Sequence, residues 1–388
     1  MIYIHVPFCK SFCTYCDYYS EIAEEGMFSR YTEEVCKEIR QRRKEMDRQL
    51  HTLYFGGGTP SQLPLGDLTR ILLTLDEVGM GGPYKEFTME VNPEDIIEKG
   101  LPYLQSLRSL GVNRISMGVQ SFNNTLLRWM NRRHDAARAR QAFAILREAG
   151  VENLSVDLIF GLPQLTEAVL TQTLDELLRL RPEHISAYQL SVEEGSTLGR
   201  MAREGRFTEA SQEQCAAQYA QLCRVLGEAG YVHYEISNWA LPGREAVHNG
   251  AYWTRHPYVG LGPAAHSFDG TTRSWNSKAS AATASGNRAT LGIVRGGTAS
   301  GAQRWGPKDV SGGSWLLREG FEELTAAEER EEQLFLGLRT ARGIPEELAG
   351  PGAAPLLADG RLTRTPEGRL RIPEAAWFVS DDIISDLI

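Results

Sequence analysis

The sequence predicts an α/β fold organised as an open or partial barrel. Six short strand-like runs alternate with segments whose apolar residues recur at helical spacing, which is typical of parallel strands joined by right-handed crossovers. Six such units fall short of the eight that close a full barrel. Glycine and polar residues also gather where the strands end, and ligands bind at that edge in sheets of this kind. The pattern therefore predicts a partial (β/α)6, TIM-like barrel with a binding site at one edge.

The predicted elements follow one another closely in the first half of the chain. The strands cover residues 3–6, 51–55, 86–91, 114–119, 154–160 and 184–190. Helical periodicity covers residues 28–48, 65–77, 95–109, 125–130, 135–149 and 166–180. After residue 191 the alternation loosens into a helix at 209–228, a strand at 231–236, an aromatic- and histidine-rich segment at 238–268 and a helix at 325–339.

These patterns predict two domains. Residues 1–236 form the barrel, and residues 237–388 form a smaller C-terminal α+β domain that resembles a winged helix. Within the second domain, residues 278–313 are rich in Ala, Gly, Ser and Thr without clear periodicity. That composition predicts an irregular segment.

Composition and charge exclude several classes of protein. The net charge of −9 argues against a general nucleic-acid binder, which normally carries a basic face. No apolar run reaches the length of a membrane span, and the chain opens on a strand rather than on a charged and then apolar signal. We therefore expect a cytoplasmic protein with no nucleic-acid partner and no transmembrane segment. A reducing compartment also leaves thiols available for metal.

Three cysteines follow the first strand within eight residues, at Cys9, Cys13 and Cys16. Thiolates on closely spaced loop residues are the ligands of iron–sulfur clusters, and three of them on a four-iron cube leave one iron open. A zinc site usually draws on a fourth protein ligand, and none follows nearby. A cluster of buried thiols or a weak zinc loop remains the alternative. The other cysteines lie in helical patterns and are predicted to pack in the core: Cys36, Cys215 and Cys223.

Five motifs together carry a resemblance to a known family. They are residues 3–9 (YIHVPFC), 55–61 (FGGGTPS), 90–93 (EVNP), 118–122 (GVQSF) and 157–163 (DLIFGLP). The CxxxCxxC loop after a first strand is similar to the signature of radical S-adenosylmethionine proteins. The motifs in combination resemble the oxygen-independent coproporphyrinogen III oxidase group, and within it most closely the HemW heme-chaperone branch. The resemblance covers roughly residues 1–276 and 321–345.

The resemblance implies a radical S-adenosylmethionine barrel with a [4Fe-4S] cluster on Cys9, Cys13 and Cys16, and bound S-adenosylmethionine. The residues that it implies for S-adenosylmethionine are Tyr3, Tyr15, Gly57, Gly58, Thr59, Glu90, Gln120, Arg132 and Asp157. Their types suit the ligand, because an arginine can hold a carboxylate and a carboxylate can accept ribose hydroxyl groups. Each also has a plainer interpretation as a turn glycine or a surface polar residue. For Arg132 that alternative is a solvated charge run at 131–134.

One position separates two branches of the group. In the oxidase, one residue and a fourth cysteine follow the third cysteine, whereas Tyr18 stands at that place here. The oxidase also has an extension before the first strand, and this chain starts at the strand. Both features point away from oxidative decarboxylation, so no catalytic residue is assigned.

A histidine motif points towards heme. Residues 248–253 (HNGAYW) match the HNxxYW pattern of the chaperone branch. Imidazole is a usual axial ligand of heme iron, and aromatic rings suit a flat porphyrin face. The resemblance therefore implies His248 as a tentative heme ligand, with three further histidines as alternatives: His233, His256 and His266.

Three functions follow from these observations. The leading hypothesis is a protein that binds heme and transfers it to acceptor proteins, with a cluster and S-adenosylmethionine bound. The second is an oxygen-independent coproporphyrinogen III oxidase that forms protoporphyrinogen IX. The third is a radical enzyme that acts on another small molecule. The resemblance also implies a possible homodimer.

Overall fold

A computed structural model describes residues 1–24, 26–278 and 318–388, with the backbone alone described at position 318. The predicted α/β fold is confirmed, because each of the six predicted strands is a strand and helices alternate with them. The predicted irregular segment at 278–313 lies outside the described residues except for its first position. No helix among the described ranges is long and apolar enough to cross a membrane.

The strands are numbered in chain order. They are β1 (Ile2–Val6), β2 (Phe8–Cys9), β3 (Glu21–Ile22), β4 (Thr52–Gly57), β5 (Glu86–Val91), β6 (Arg114–Gln120), β7 (Leu154–Phe160), β8 (His184–Gln189), β9 (Val232–Glu235), β10 (Asn238–Ala240), β11 (Val259–Leu261), β12 (His266–Phe268), β13 (Thr272–Asn276), β14 (Arg318–Glu323), β15 (Thr363–Arg364) and β16 (Leu370–Arg371).

The helices are numbered in the same way. They are α1 (Met27–Arg42), α2 (Leu65–Glu77), α3 (Pro93–Ser109), α4 (Asn124–Trp129), α5 (Ala136–Glu148), α6 (Glu167–Leu180), α7 (Thr197–Arg203), α8 (Gln212–Glu228), α9 (Val247–Tyr252), α10 (Ala326–Leu338), α11 (Glu346–Ala349), α12 (Ala353–Ala358) and α13 (Ser380–Ser385). Short 3-10 turns lie at Arg43–Glu45, Pro60–Gln62, Gly350–Gly352 and Glu374–Val379.

The chain divides into two units, each assembled from separate stretches of sequence. The first unit consists of the described residues within Met1–Lys10, Tyr19–Lys85 and His256–Leu324. In it, β1 lies between β11 and β4 and is parallel to both. A separate antiparallel sheet has the order β12-β13-β14.

Helix α1 of the first unit ends six residues earlier than its periodicity predicts. Tyr31, Val35 and Ile39 form its buried stripe, and no apolar residue continues that spacing at position 42 or 43. Arg42 stands there instead and donates to the Gly260 carbonyl at 2.7 Å. The chain then turns through the short 3-10 segment that follows.

The second unit consists of Ser11–Tyr18, Glu86–Arg255 and Thr325–Ile388. Its strands β5, β6, β7 and β8 are parallel, and the antiparallel β10 and β9 follow β8. Parallel strands that helices cover are apolar on both faces, and β7 accordingly buries five of its seven residues. The last part of the chain contains helices α10–α13 and the β15–β16 hairpin, and the winged-helix-like domain stays a prediction.

Candidate functional site

The first unit presents one cysteine of the loop beside a buried threonine. Cys9 is the last residue of β2, which pairs with β3 in parallel. Its Sγ lies 3.5 Å from Thr59 Oγ1, just beyond the end of β4. Thr59 is 5% exposed, whereas Cys9 is partly exposed. A thiol at the surface edge of a parallel sheet, next to a buried hydroxyl, is an accessible ligand position.

Two glycines let the chain pass this edge without a steric clash. Gly57 has φ +111°, and a Cβ there would lie 2.5–2.9 Å from the His5 ring. A Cβ on Gly58 would lie 2.8 Å from the Pro7 carbonyl group, and the Gly58 N–H donates to the Val6 carbonyl at 2.9 Å. Both glycines are therefore required by close approach to the end of β1, not merely by a turn.

A histidine that the sequence analysis did not single out orders this region. His5 Nε2 faces the Tyr19 carbonyl at 2.8 Å, and Nδ1 faces the Tyr3 hydroxyl at 3.1 Å. A carbonyl can only accept, so Nε2 carries the proton and Nδ1 accepts from Tyr3. Burial lowers the pKa of His5 to about 4, which keeps the ring neutral. The signal that could have identified it is its position in β1, four residues before Cys9.

The second unit presents the other two loop cysteines, and backbone contacts fix their position. Thr14 N donates to the Met130 carbonyl at 3.1 Å, and its hydroxyl donates to the Trp129 carbonyl at 3.0 Å. Leu198 N, in α7, donates to the Thr14 carbonyl at 2.8 Å. The segment between Cys13 and Cys16 is thus held by the end of α4 and the start of α7.

Arg132 lies beside Cys13 and not in a solvated charge run. Its Nη1 donates to Cys13 Sγ at 3.4 Å, and Nη2 donates to Asn92 Oδ1 and the Gly118 carbonyl, both at 2.6 Å. Its Nε is buried and has no hydrogen-bond partner within the described ranges. Burial opposes the charge, but Tyr15 and Cys13 hold the pKa of Arg132 above its ordinary value.

Tyr15 also lies beside Cys13. Burial raises its pKa, so the phenol stays protonated next to Cys13. A permanent cation and a protonated hydroxyl beside a cysteine stabilise negative charge on sulfur. Cys13 is therefore in a setting that suits a thiolate ligand.

Polar side chains also lie towards the ends of the parallel strands. Ser116 in β6 donates to both carboxylate oxygens of Asp157 in β7, at 3.1 and 3.2 Å. Burial raises the pKa of Asp157. Gln120 ends β6 with φ +68°, at a break in the β6–β7 register. Such a backbone is costly for a residue other than glycine and is commonly found at binding sites.

Glu90 lies in the same part of the second unit, since its register partner in β6 is Ser116. Along β6, Glu90 is level with Ser116 and Asp157 with Gly118, whereas Gln120 lies two positions farther towards the strand end. Ser116 was not among the residues that the sequence predicted. A serine inside an apolar strand, two residues before a glycine, was the available signal.

His248 lies elsewhere in the second unit. The backbone N–H groups of Val247 and His248 donate to the Glu86 carboxylate at 2.8 and 2.9 Å. Glu86 begins β5, whereas Glu90 lies near its other end, about 13 Å away at the usual rise of a strand.

The His248 side chain is 0% exposed. Its Nε2 lies 3.1 Å from the Tyr252 hydroxyl, and burial lowers its pKa to about 3. The structure thus does not bring His248 together with the strand-end residues, and heme ligation by His248 stays a prediction.

The three alternative histidines differ in accessibility. His233 is buried against Trp239, with ring centroids 4.0 Å apart. His256 is partly buried. Of the eight histidines, all within the described residues, His266 is the exposed one, and its ring stacks on Trp275 at 6.0 Å.

The donor set fits a metal cluster with one open position. All six cysteines lie in described residues, and none forms a disulfide. All three loop cysteines are partly exposed, and they fall within eight residues of sequence: Cys9, Cys13 and Cys16. Within the second unit, the unpartnered Arg132 Nε and the strained Gln120 backbone are features expected beside an anionic ligand.

Fold and donor set together define a radical S-adenosylmethionine protein. Residues 3–177 match the family model described as the Radical SAM superfamily. The structure of coproporphyrinogen III oxidase HemN from Escherichia coli superposes with a TM-score of 0.76, at 20% sequence identity. That alignment covers 100% of this chain and 89% of the other, and at such identity it supports the fold alone.

Curated relatives narrow the family. The heme chaperone HemW of Synechocystis sp. is 37% identical over 272 residues, which are 69% of this chain and 65% of that protein. HemW of Bacillus subtilis is 33% identical across 89% of this chain and 84% of its own length. HemW of Mycobacterium tuberculosis is 32% identical across 95% of this chain and 92% of its own length. The chain belongs to the HemW heme-chaperone family, and the resemblance expected from the motifs is confirmed.

Proposed function

We propose that this protein binds heme and passes it to acceptor proteins, and that it carries a [4Fe-4S] cluster with S-adenosylmethionine. One observation carries the proposal, namely the similarity to proteins named heme chaperones over 84% and 92% of their lengths. The residue at position 18 gives independent support. A tyrosine stands where the oxidase would have a fourth cysteine, and its side chain is 69% exposed.

Three thiolates of the loop would hold the cluster, from Cys9, Cys13 and Cys16. When bound, such a cluster supplies a redox centre with one iron open to a ligand that is not protein. The protein's contribution is electrostatic and steric. Arg132 holds positive charge against Cys13 Sγ, and the neutral His5 fixes the strand before the loop by its bond to the Tyr19 carbonyl.

The remaining predicted residues would orient S-adenosylmethionine. Gly57, Gly58 and Thr59 offer backbone groups where a side chain would clash, which suits the amino-acid end of the ligand. Asp157 is held in place by Ser116 and has the acceptor oxygens that ribose hydroxyl groups need. Tyr3, Tyr15, Glu90 and Gln120 complete the proposed set.

Heme could be held at either of two histidines. His248 carries the motif of the chaperone branch, but its ring must leave the interior before it can reach iron. His266 is accessible beside Trp275. Partial burial of its ring, together with Arg273 and Lys278, lowers its pKa, which favours the neutral ring that ligation requires. The same two cations suit the propionates of a heme.

Parallel substitutions separate these two positions. His248→Ala and His266→Ala are titrated with heme under nitrogen, and absorption spectra and affinity are compared with the parent protein. Loss of the axial ligand shifts the heme bands and weakens binding in one variant. Unchanged bands and affinity in both variants would remove both histidines as ligands.

An anaerobic assay tests the function itself. The reconstituted protein is mixed with coproporphyrinogen III in one experiment and with heme followed by a heme-free acceptor protein in another. We expect stoichiometric heme binding, release to the acceptor and no protoporphyrinogen IX. Formation of that product would favour the oxidase hypothesis and contradict the proposal.

The proposal also includes the cellular location of the protein and its binding partners. Thiols without disulfides suit a cytoplasmic protein. Its partners would be heme, the heme-accepting proteins and a second copy of the chain. Light scattering of the cluster-loaded and cluster-free protein measures whether a homodimer forms.

A further inference from the structure

Three side chains that the proposed function does not use converge in the second unit. Cys223 lies on α8, His233 on β9 and Glu374 in the 3-10 turn near the end of the chain. His233 Nδ1 is 2.8 Å from Glu374 Oε1 and 3.8 Å from Cys223 Sγ. One sulfur, one nitrogen and one oxygen donor all lie within 4.8 Å of one another. A single ion can bridge donors at that spacing.

The His233 ring is held rigidly by its neighbours. It stacks on Trp239 at 4.0 Å and 11°, and it meets the edge of Trp377 at 4.3 Å. Its side chain is 3% exposed. A ring clamped between two indoles cannot turn away, so the direction of its two nitrogens is fixed by packing.

The two ring nitrogens of His233 face different neighbours. Tyr219 Oη donates to the Ile236 carbonyl at 2.8 Å, and His233 Nε2 lies 3.4 Å from both oxygens. The carbonyl can only accept, and the phenol has already given its proton to it. Nε2 therefore faces this pair only at long range, whereas Nδ1 faces the Glu374 carboxylate at 2.8 Å and the Cys223 sulfur at 3.8 Å.

This arrangement gathers three possible metal ligands on one side of the ring. Without a metal ion, Nδ1–H donates to the Glu374 carboxylate, which can only accept, and a bound cation would take the place of that proton. The thiol adds a third donor atom on the same side. A dication bound there would take the place of the thiol proton, which would leave to solvent.

We propose that Cys223, His233 and Glu374 form a zinc site with one position open to water. Zinc takes cysteine sulfur, histidine nitrogen and carboxylate oxygen, and three protein ligands with a fourth open position are common for it. Calcium and magnesium take oxygen ligands instead, so the sulfur and nitrogen donors argue against them. The ion would connect α8 and β9 to the 3-10 turn that begins at Glu374. This site is distinct in its ligands from the cysteine loop and goes beyond the proposed function.

Zinc analysis of the full-length, cluster-loaded protein tests the site. The protein is dialysed anaerobically against a buffer of fixed free zinc, and zinc, iron and sulfide are measured together. We expect one zinc per chain in the parent protein and binding at least about tenfold weaker in Cys223→Ser and Glu374→Gln, with iron and sulfide unchanged. Glu374 is half-exposed, so its substitution leaves the fold intact.

Matched controls and a second measurement make the outcome decisive. Cys36→Ser and Glu367→Gln remove a thiol and an exposed carboxylate elsewhere and should bind zinc as the parent does. X-ray absorption at the zinc edge should show one sulfur at about 2.3 Å with nitrogen and oxygen neighbours. Equal zinc binding by the parent and both site variants, or a zinc surrounded by three sulfurs, would overturn the proposal and leave a plain His233–Glu374 ion pair.

Discussion

Replacing Gly58 by alanine tests whether close backbone approach shapes the cysteine loop. The new Cβ would lie 2.8 Å from the Pro7 carbonyl carbon and oxygen, and 3.0 Å from the Phe8 oxygen. These are backbone atoms of the segment that leads into Cys9, so they cannot rotate away as a side chain would. Either the strand end moves or the loop moves with its cysteine.

Overpacking of this kind costs about 1–3 kcal/mol of stability. At 1.36 kcal/mol for each factor of ten, the unfolded population rises roughly fivefold to 150-fold. Gly66→Ala is the matched control, because a Cβ there meets nothing within 4 Å and the position is exposed within α2. Alanine is the better helix former, so that variant should gain up to about 1 kcal/mol.

Chemical denaturation and cluster content measure the two effects. We expect Gly58→Ala to unfold at lower denaturant and to hold less iron and sulfide after reconstitution, because displacement of Phe8 shifts the adjoining cysteine. Gly66→Ala should keep full cluster content. If Gly58→Ala matched the parent protein in both measurements, the close approach would not constrain the loop and the reasoning would be refuted.

Three further predictions concern the thiols, the strand ends and a buried acid. Alanine at any of the three loop cysteines should abolish the cluster chromophore, whereas Cys36→Ala should retain it, as iron and sulfide analysis would show. Asp157→Ala should weaken S-adenosylmethionine binding by roughly tenfold to a hundredfold in calorimetry, and the same substitution at the exposed Asp175 should not. Burial raises the pKa of Glu235 to about 8, so its stabilising effect is present below its unfolded pKa of about 4.3 and is lost as pH rises towards 8. Glu235→Gln should therefore flatten the decline in stability between those pH values, and an unchanged slope in urea titrations would exclude Glu235 as its cause.

Local patterns in the sequence were sufficient for the six predicted strands of the α/β region and for singling out the three closely spaced cysteines. Strand β7 was predicted with its observed bounds because an apolar run between polar turns carries that information within seven residues. The spacing of the three thiols is equally local, and it indicated a cluster before any contact was known. His266, the exposed histidine beside Trp275, was only one of three alternatives, because a few neighbouring residues do not determine whether a side chain is exposed.

Only the tertiary structure decided which distant residues meet. Arg132 was predicted as an S-adenosylmethionine contact with a solvated charge run as the alternative, and nothing in the sequence indicated that its side chain meets Cys13, 119 positions away. His248 carried a strong motif, yet the fold buried it against Glu86. Glu374 reaches His233 across 141 positions, and no periodicity links the two. Periodicity reports which face of an element is buried, whereas the partner across the core depends on how all the elements pack together, and that information is shared over the whole chain.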